Sequence, residues 1–172
     1  GYEYSDLFVD DARLVLLNAQ DAISKGAKIY TNANIQKVIR KRDNWEVFLN
    51  NGEVLYSKVI INASGPYALD VLNNLIGIQS QKKIRHVQGS HIITEKLYKG
   101  EQAYILQLDD KRIIFLIPYL DKYTLIGTTD HEVKSYDNPK ITDIEKKYLI
   151  SSVNKFIKNK ITEDNIIWTY SG

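Results

Sequence analysis

From Asp10 to Lys25 the apolar residues Ala12, Val15, Leu16, Ala19, Ala22 and Ile23 recur at helical spacing, with Asp10 or Asp11 placed to cap the start and Lys25-Gly26 to end it. The period then changes. Ala27 to Thr31 reads as a strand, and Asn32-Ala33-Asn34 has turn composition. Between Ile35 and Tyr56, short segments are separated by Asp43-Asn44 and by Asn51-Gly52, a strong two-residue hairpin signal, so a three-stranded antiparallel meander is expected. Trp45, Val47 and Leu49 share one of its faces, while Phe48 keeps the other from being fully wet. Val59, Ile60 and Ile61 leave no polar face and predict a strand buried on both sides. Ala63-Ser64-Gly65 ends that strand with little side-chain bulk, Pro66 can open a helix, and Ala68 to Ile76 continues it until Gly77.

Beyond about Gln79 strands dominate: roughly Lys83 to Thr94, Ala103 to Leu108, Arg112 to Tyr119 and Tyr123 to Thr129, turning at Asp109-Asp110 and Leu120-Asp121-Lys122. Their spacing suits an antiparallel sheet. Thr142-Asp143-Ile144-Glu145 is a capping box, and Tyr148, Leu149, Val153, Phe156 and Ile157 form the expected buried stripe of the helix it opens. Ile166 to Tyr170 returns to strand. The fold class is therefore α/β followed by α+β, with domains at 1–78 (meander about 35–56) and 79–172 and no internal repeat.

Composition narrows the classes. At 172 residues, 44% apolar and 26% charged, the chain has globular composition and is long enough for one ordinary domain or two small ones. A net charge of +2 is too mild to imply a nucleic-acid partner. The basic run Lys82-Lys83-Ile84-Arg85-His86 reads as a solvated strand edge, or as an attractor for a phosphorylated small molecule. The absence of cysteine excludes disulfides and thiolate chemistry and fits a reducing, cytoplasmic compartment. Ile113 to Leu120, the longest apolar run, is too short to span a bilayer. The chain starts Gly-Tyr-Glu, has no methionine and stops inside a strand-like segment, so it is expected to be a piece of a longer protein.

Three stretches could carry chemistry. Ala63, Ser64 and Gly65 would let a flat or phosphorylated ligand approach the backbone closely; on pattern alone a plain strand-turn-helix is the more ordinary reading. His86 and His91 are five apart and point to opposite faces of a regular strand, which argues against a shared metal, and none is expected. His91 follows Gly89-Ser90, which leaves room for a bulge or a flat partner, although a hydrogen-bonded core histidine is the alternative. Gly127-Thr128-Thr129-Asp130 reads either as a hydroxyl-rich ligand edge or as a capped strand end.

Tyr4-Ser5-Asp6, Val9-Asp10-Asp11-Ala12-Arg13-Leu14, Asn62-Ala63-Ser64-Gly65-Pro66, Gly89-Ser90-His91, Asp110-Lys111-Arg112-Ile113-Ile114-Phe115, Gly127-Thr128-Thr129-Asp130 and Trp168-Thr169-Tyr170-Ser171-Gly172 follow one another in an order that resembles the FAD-dependent glycerol-3-phosphate dehydrogenases. The resemblance runs along nearly the whole chain and matches the central third of such an enzyme. It implies part of an FAD-binding, Rossmann-like domain with an inserted meander, followed by part of a substrate-capping domain. Ile35, Ala63, Ser64 and Gly65 would then meet FAD, and His91 would act on or orient the substrate.

The implied reaction moves a hydride from C2 of sn-glycerol 3-phosphate to FAD, with the hydroxyl proton going to a base, for which an imidazole of ordinary pKa ~6.5 is suited. Electrons would pass to quinone or oxygen, and the parent would sit peripherally on the inner face of the cell membrane. The glycine-rich dinucleotide fingerprint and the later substrate arginine of the family are absent from this stretch, so the piece alone is expected to be inactive and to hold FAD poorly. Lys82, Lys83, Arg85 and Arg112 are phosphate candidates by charge alone, and exposed strand edges predict self-association. An amino-acid or amine oxidase of the same superfamily, and a non-enzymatic α+β module, are the alternatives.

Overall fold

A computed structural model describes residues 1–172 and divides them into two compact units, Gly1–Ser80 and Gln81–Gly172. In the first unit, α1 (Asp11–Ser24) starts where the Asp10 carboxylate accepts a hydrogen bond from the Arg13 backbone N–H at 3.0 Å. None of its residues is buried, and its apolar stripe lies open, Leu16 at 64% exposure.

The meander forms as its pattern predicts: β1 (Ile35–Arg40), β2 (Trp45–Leu49) and β3 (Val54–Ser57) pair antiparallel in that order. Gly52 makes the β2–β3 turn with a φ of +85°, and Leu49 is its buried residue. A helical segment follows that loosens along its length, from a 3₁₀ turn at Gly65–Tyr67 through α2 (Ala68–Asp70) to a π turn at Val71–Leu75.

Two expected strands do not form. Ala27 to Thr31 and Val59 to Ile61 have no ladder partners, and Val59 and Ile61 are 69% and 86% exposed rather than buried. A strand exists only where a neighbour completes its hydrogen bonds, and within this unit the meander strands pair only with one another.

The second unit is organised by a five-stranded antiparallel sheet. In spatial order it runs β10 (Ile166–Ser171), β5 (Ser90–Glu95), β8 (Tyr123–Gly127), β7 (Ile113–Tyr119) and β6 (Tyr104–Gln107). Beside it, β4 (Val87–Gln88) pairs with β9 (His131–Glu132). The single long strand expected from Lys83 to Thr94 is thus cut at Gly89, whose N–H and C=O instead bond Gly172, at 2.9 and 3.0 Å.

The side chains of α3 (Asp143–Val153) pack on one sheet face. Ile92, Ile114, Leu116 and Ile126 from the strands meet Leu149 and Val153, all at 2% exposure or less. Each such side chain contributes roughly 1.5–3 kcal/mol. Phe156 was expected in this stripe but is half exposed, because the helix ends at Val153 and the chain turns before reaching it. No helix is long and apolar enough to cross a membrane.

Candidate functional site

In the first unit, the Ile35 end of β1 is pinned by Asn50, whose backbone N–H donates to the Asn34 carbonyl at 2.9 Å and whose side-chain oxygen accepts from the Asn34 N–H at 3.2 Å. The Ala63-Ser64-Gly65 turn is pinned by Asn62. Its amide oxygen accepts from the Ser64 hydroxyl at 2.6 Å and the Ser64 N–H at 3.3 Å, while its amide nitrogen donates to the Ala68 carbonyl at 2.8 Å. Ile35 and Ser64 line one open cavity of about 520 Å³, together with Tyr67, Asp70, Val71 and Asn74. Ala63 and Gly65 flank Ser64 in the chain without lining that cavity. A Cβ added at Gly65 would meet nothing, but its φ of +56° favours glycine.

In the second unit, His91 lies on the sheet face opposite α3. The register sets Tyr170, His91, Gly127 and Phe115 side by side across four strands. The His91 and Tyr170 rings stack with centroids 4.7 Å apart and planes within 4°. On the other flank a side chain is excluded, since a Cβ built at Gly127 would fall within 2.7 Å of His91 Cγ and 2.6 Å of Nε2. Gly89 has a related role, because a Cβ there would stand 2.6 Å from Thr128 Oγ1. His86 instead stands against Tyr136, with ring centroids 4.4 Å apart, and His131 is exposed on β9, so the three histidines are dispersed.

Behind His91, on the α3 side of the sheet, a buried carboxylate collects donors from four segments. Glu145 Oε1 accepts from the Ser90 hydroxyl at 2.8 Å and the Thr129 hydroxyl at 2.7 Å. Oε2 accepts from the Thr142 N–H at 2.8 Å and the Thr142 hydroxyl at 2.9 Å, and Gln88 Nε2 approaches it at 3.4 Å. Thr129 Oγ1 in turn accepts from the Ser90 N–H at 2.9 Å, and the Ser90 and Ser171 hydroxyls share a bond of 2.9 Å. Burial alone would raise the Glu145 pKa. Hydrogen bonds from Thr129, Thr142 and Ser90 outweigh it and bring the carboxyl down to about 2.

The capping-box signal identified Glu145 only as a helix-starting residue. Its contacts with Ser90 and Thr129 had no local signal, because they cross 55 and 16 positions of chain. Thr129 therefore serves this carboxylate rather than a ligand edge. Of the phosphate candidates, Arg112 is held by Asp110, with Nε at 2.7 Å from the carboxylate and its guanidinium 4.0 Å above the Tyr148 ring. Arg85 pairs with Glu132 at 3.6 Å.

Comparison with known proteins adds a family to this geometry. A relative named glycerol-3-phosphate dehydrogenase in Pseudomonas aeruginosa is 42% identical over all of this chain, which covers 35% of that protein. One named D-erythritol 1-phosphate dehydrogenase in Brucella abortus is 39% identical, again over the whole chain and 36% of its own length. The crystal structure of a glycerol-3-phosphate dehydrogenase from Bacillus halodurans complexed with FAD superposes with a TM-score of 0.82 at 25% identity, over 95% of this chain and 34% of that one. The chain thus spans about a third of the length of these relatives. The family model described as FAD dependent oxidoreductase matches residues 1–172, and with the α/β and antiparallel architecture above this chain belongs to the FAD-dependent oxidoreductases.

Proposed function

We propose that the protein carrying this chain oxidises the secondary alcohol at C2 of sn-glycerol 3-phosphate to the ketone of dihydroxyacetone phosphate, using FAD and passing the electrons to quinone. The observation that carries this is identity of 42% along the entire chain to a relative named glycerol-3-phosphate dehydrogenase. Residues 1–78 would belong to the FAD-binding domain and 79–172 to the substrate domain. The Brucella relative, at 39%, supports a second reading in which the substrate is a longer polyol phosphate with the same terminal group.

The first unit offers a fit for part of FAD. Its cavity of about 520 Å³ lies in the range that holds cofactor-sized groups, and Ile35 and Ser64 stand on its wall as the family resemblance requires. The Ser64 hydroxyl donates to Asn62, so toward a ligand it has lone pairs to accept with. Ala63 and Gly65 leave that stretch of backbone without bulk. When bound, FAD supplies the two-electron acceptor for the hydrogen leaving C2.

The second unit supplies the base. His91 would take the C2 hydroxyl proton on a ring nitrogen as that carbon becomes a carbonyl, its ring plane set by Tyr170 and its space by Gly127. Lys82, Lys83, Arg85 and Arg112 are the phosphate candidates by charge, and Arg112 is already held by Asp110 and Tyr148. In the unit itself β10 and β6 are edge strands, the feature behind the expected self-association of the piece. Attachment of the parent to the inner face of the membrane is part of the same proposal, since quinone is a membrane solute.

Anaerobic mixing of the full-length, FAD-loaded protein with sn-glycerol 3-phosphate and, separately, with D-erythritol 1-phosphate tests the proposal through bleaching of the flavin absorbance. Absence of bleaching by both would refute it. His91→Ala is expected to slow bleaching by roughly 10²–10⁴-fold; a rate within a few-fold of wild type would remove His91 from the chemistry.

A further inference from the structure

We infer that Glu145, buried on the α3 face of the sheet, is a positioning residue for the His91 imidazole on the opposite face, acting through hydroxyls on the three segments that frame that ring. The inference rests on the reading of His91 as the base. Ser90 precedes His91, Ser171 follows the stacking Tyr170, and Thr129 lies just beyond Gly127. Glu145 Oε1 holds Ser90 and Thr129 directly, at 2.8 and 2.7 Å, and reaches Ser171 through Ser90 at 2.9 Å. The three backbone stretches that define the imidazole slot are thereby tied to one carboxylate oxygen.

The tie is rigid for a physical reason. Ser90 is fully buried, and Thr129 and Glu145 are each at 5% exposure, so water cannot replace a lost partner without rearrangement. Helix capping needs only the other oxygen. Oε2 receives both Thr142 bonds, whereas Oε1 is directed wholly to the strand side. A capping box alone would be complete without Ser90 and Thr129.

Glu145→Gln separates the two roles, because glutamine can still reach back to the Thr142 N–H but cannot accept on both sides as two carboxylate oxygens do. Ser90→Ala removes the ties to β5 and, through it, to Ser171, while the Thr129 bond and the cap stay intact. Val153→Ala loosens α3 without touching the network and serves as control. In full-length protein with selectively labelled histidine, the His91 ring resonance, assigned by its loss in His91→Gln, carries the ring-current shift of the stacked Tyr170.

Glu145→Gln and Ser90→Ala are expected to move that resonance, and to lower kcat about 10- to 100-fold while KM stays within about threefold. Val153→Ala is expected to do neither. A wild-type His91 resonance in folded Glu145→Gln, or an equal displacement in Val153→Ala, would overturn the inference. Should Glu145→Gln not fold, an unmoved resonance in Ser90→Ala overturns it. If wild-type protein oxidises neither polyol phosphate, the functional reading fails, and the resonance still decides whether Glu145 positions the ring.

Discussion

Gly127→Ala adds a single methyl group to β8 opposite His91, and its consequence can be worked out from the register. Gly127 has no positive φ, so alanine is conformationally acceptable and the cost is steric. The new Cβ would run into His91 Cδ2 and lie 2.6 Å from Nε2 and 2.7 Å from Cγ, where ordinary contacts are roughly 3.5–4.0 Å, so the ring must withdraw by more than about 1 Å. Tyr170 blocks that withdrawal, since its ring stacks on the other side at 4.7 Å. Overpacking costs about 1–3 kcal/mol and loss of a ring pair about 0.5–1.5 kcal/mol, which places Gly127→Ala at about 2–4 kcal/mol.

Urea unfolding of the full-length protein, followed by tryptophan fluorescence, measures this cost. Trp168 is a suitable reporter because it sits on β10 opposite Ile93, next to the His91 pair. The decisive comparison is a double-mutant cycle. In a His91→Ala background the obstruction is gone, and Gly127→Ala should cost less than about 0.5 kcal/mol, giving a coupling of roughly 2 kcal/mol or more. Turnover should fall by ~10²-fold in the single variant, the usual penalty of a 1 Å misplacement. Equal costs in the two backgrounds would refute the idea that this glycine is there to house the imidazole.

Two further outcomes follow from the same geometry. Glu145 titrates at about 2 instead of its ordinary 4.5; because the folded value is the lower one, its contribution is complete above pH 4.5 and disappears as the pH falls toward 2. That contribution is on the order of 3 kcal/mol, so acid unfolding of wild type should be steeper across this window than that of Glu145→Gln, and parallel curves would contradict the hydrogen-bond account. Ser64→Tyr should fill the cavity shared with Ile35 and lower the flavin-to-protein absorbance ratio after gel filtration, whereas an unchanged ratio would move the cofactor elsewhere.

What could be read along the chain is what neighbours in sequence decide. Asp10 and Thr142 start their helices because a side chain three residues from an unpaired N–H can reach it without help from the rest of the fold. Asn51-Gly52 turns β2 into β3 for the same kind of reason, since the left-handed conformation is a property of the glycine itself. The ordered string of short motifs pointed to the flavin family, and the match along residues 1–172 agrees with it.

Tertiary structure decided everything that depends on a partner far along the chain. Val59 to Ile61 has the composition of a buried strand, yet strand formation needs a second backbone, and no composition supplies one. Gly89-Ser90 before His91 suggested room for a flat partner, but only pairing with β8 and β10 placed Gly127 and Tyr170 on either side of the ring. Glu145 shows the limit most clearly. Its local role was written in four consecutive residues, whereas its hold on Ser90 and Thr129 arises only when α3 packs onto the sheet and a carboxylate leaving water must find its donors among whatever the fold brings near.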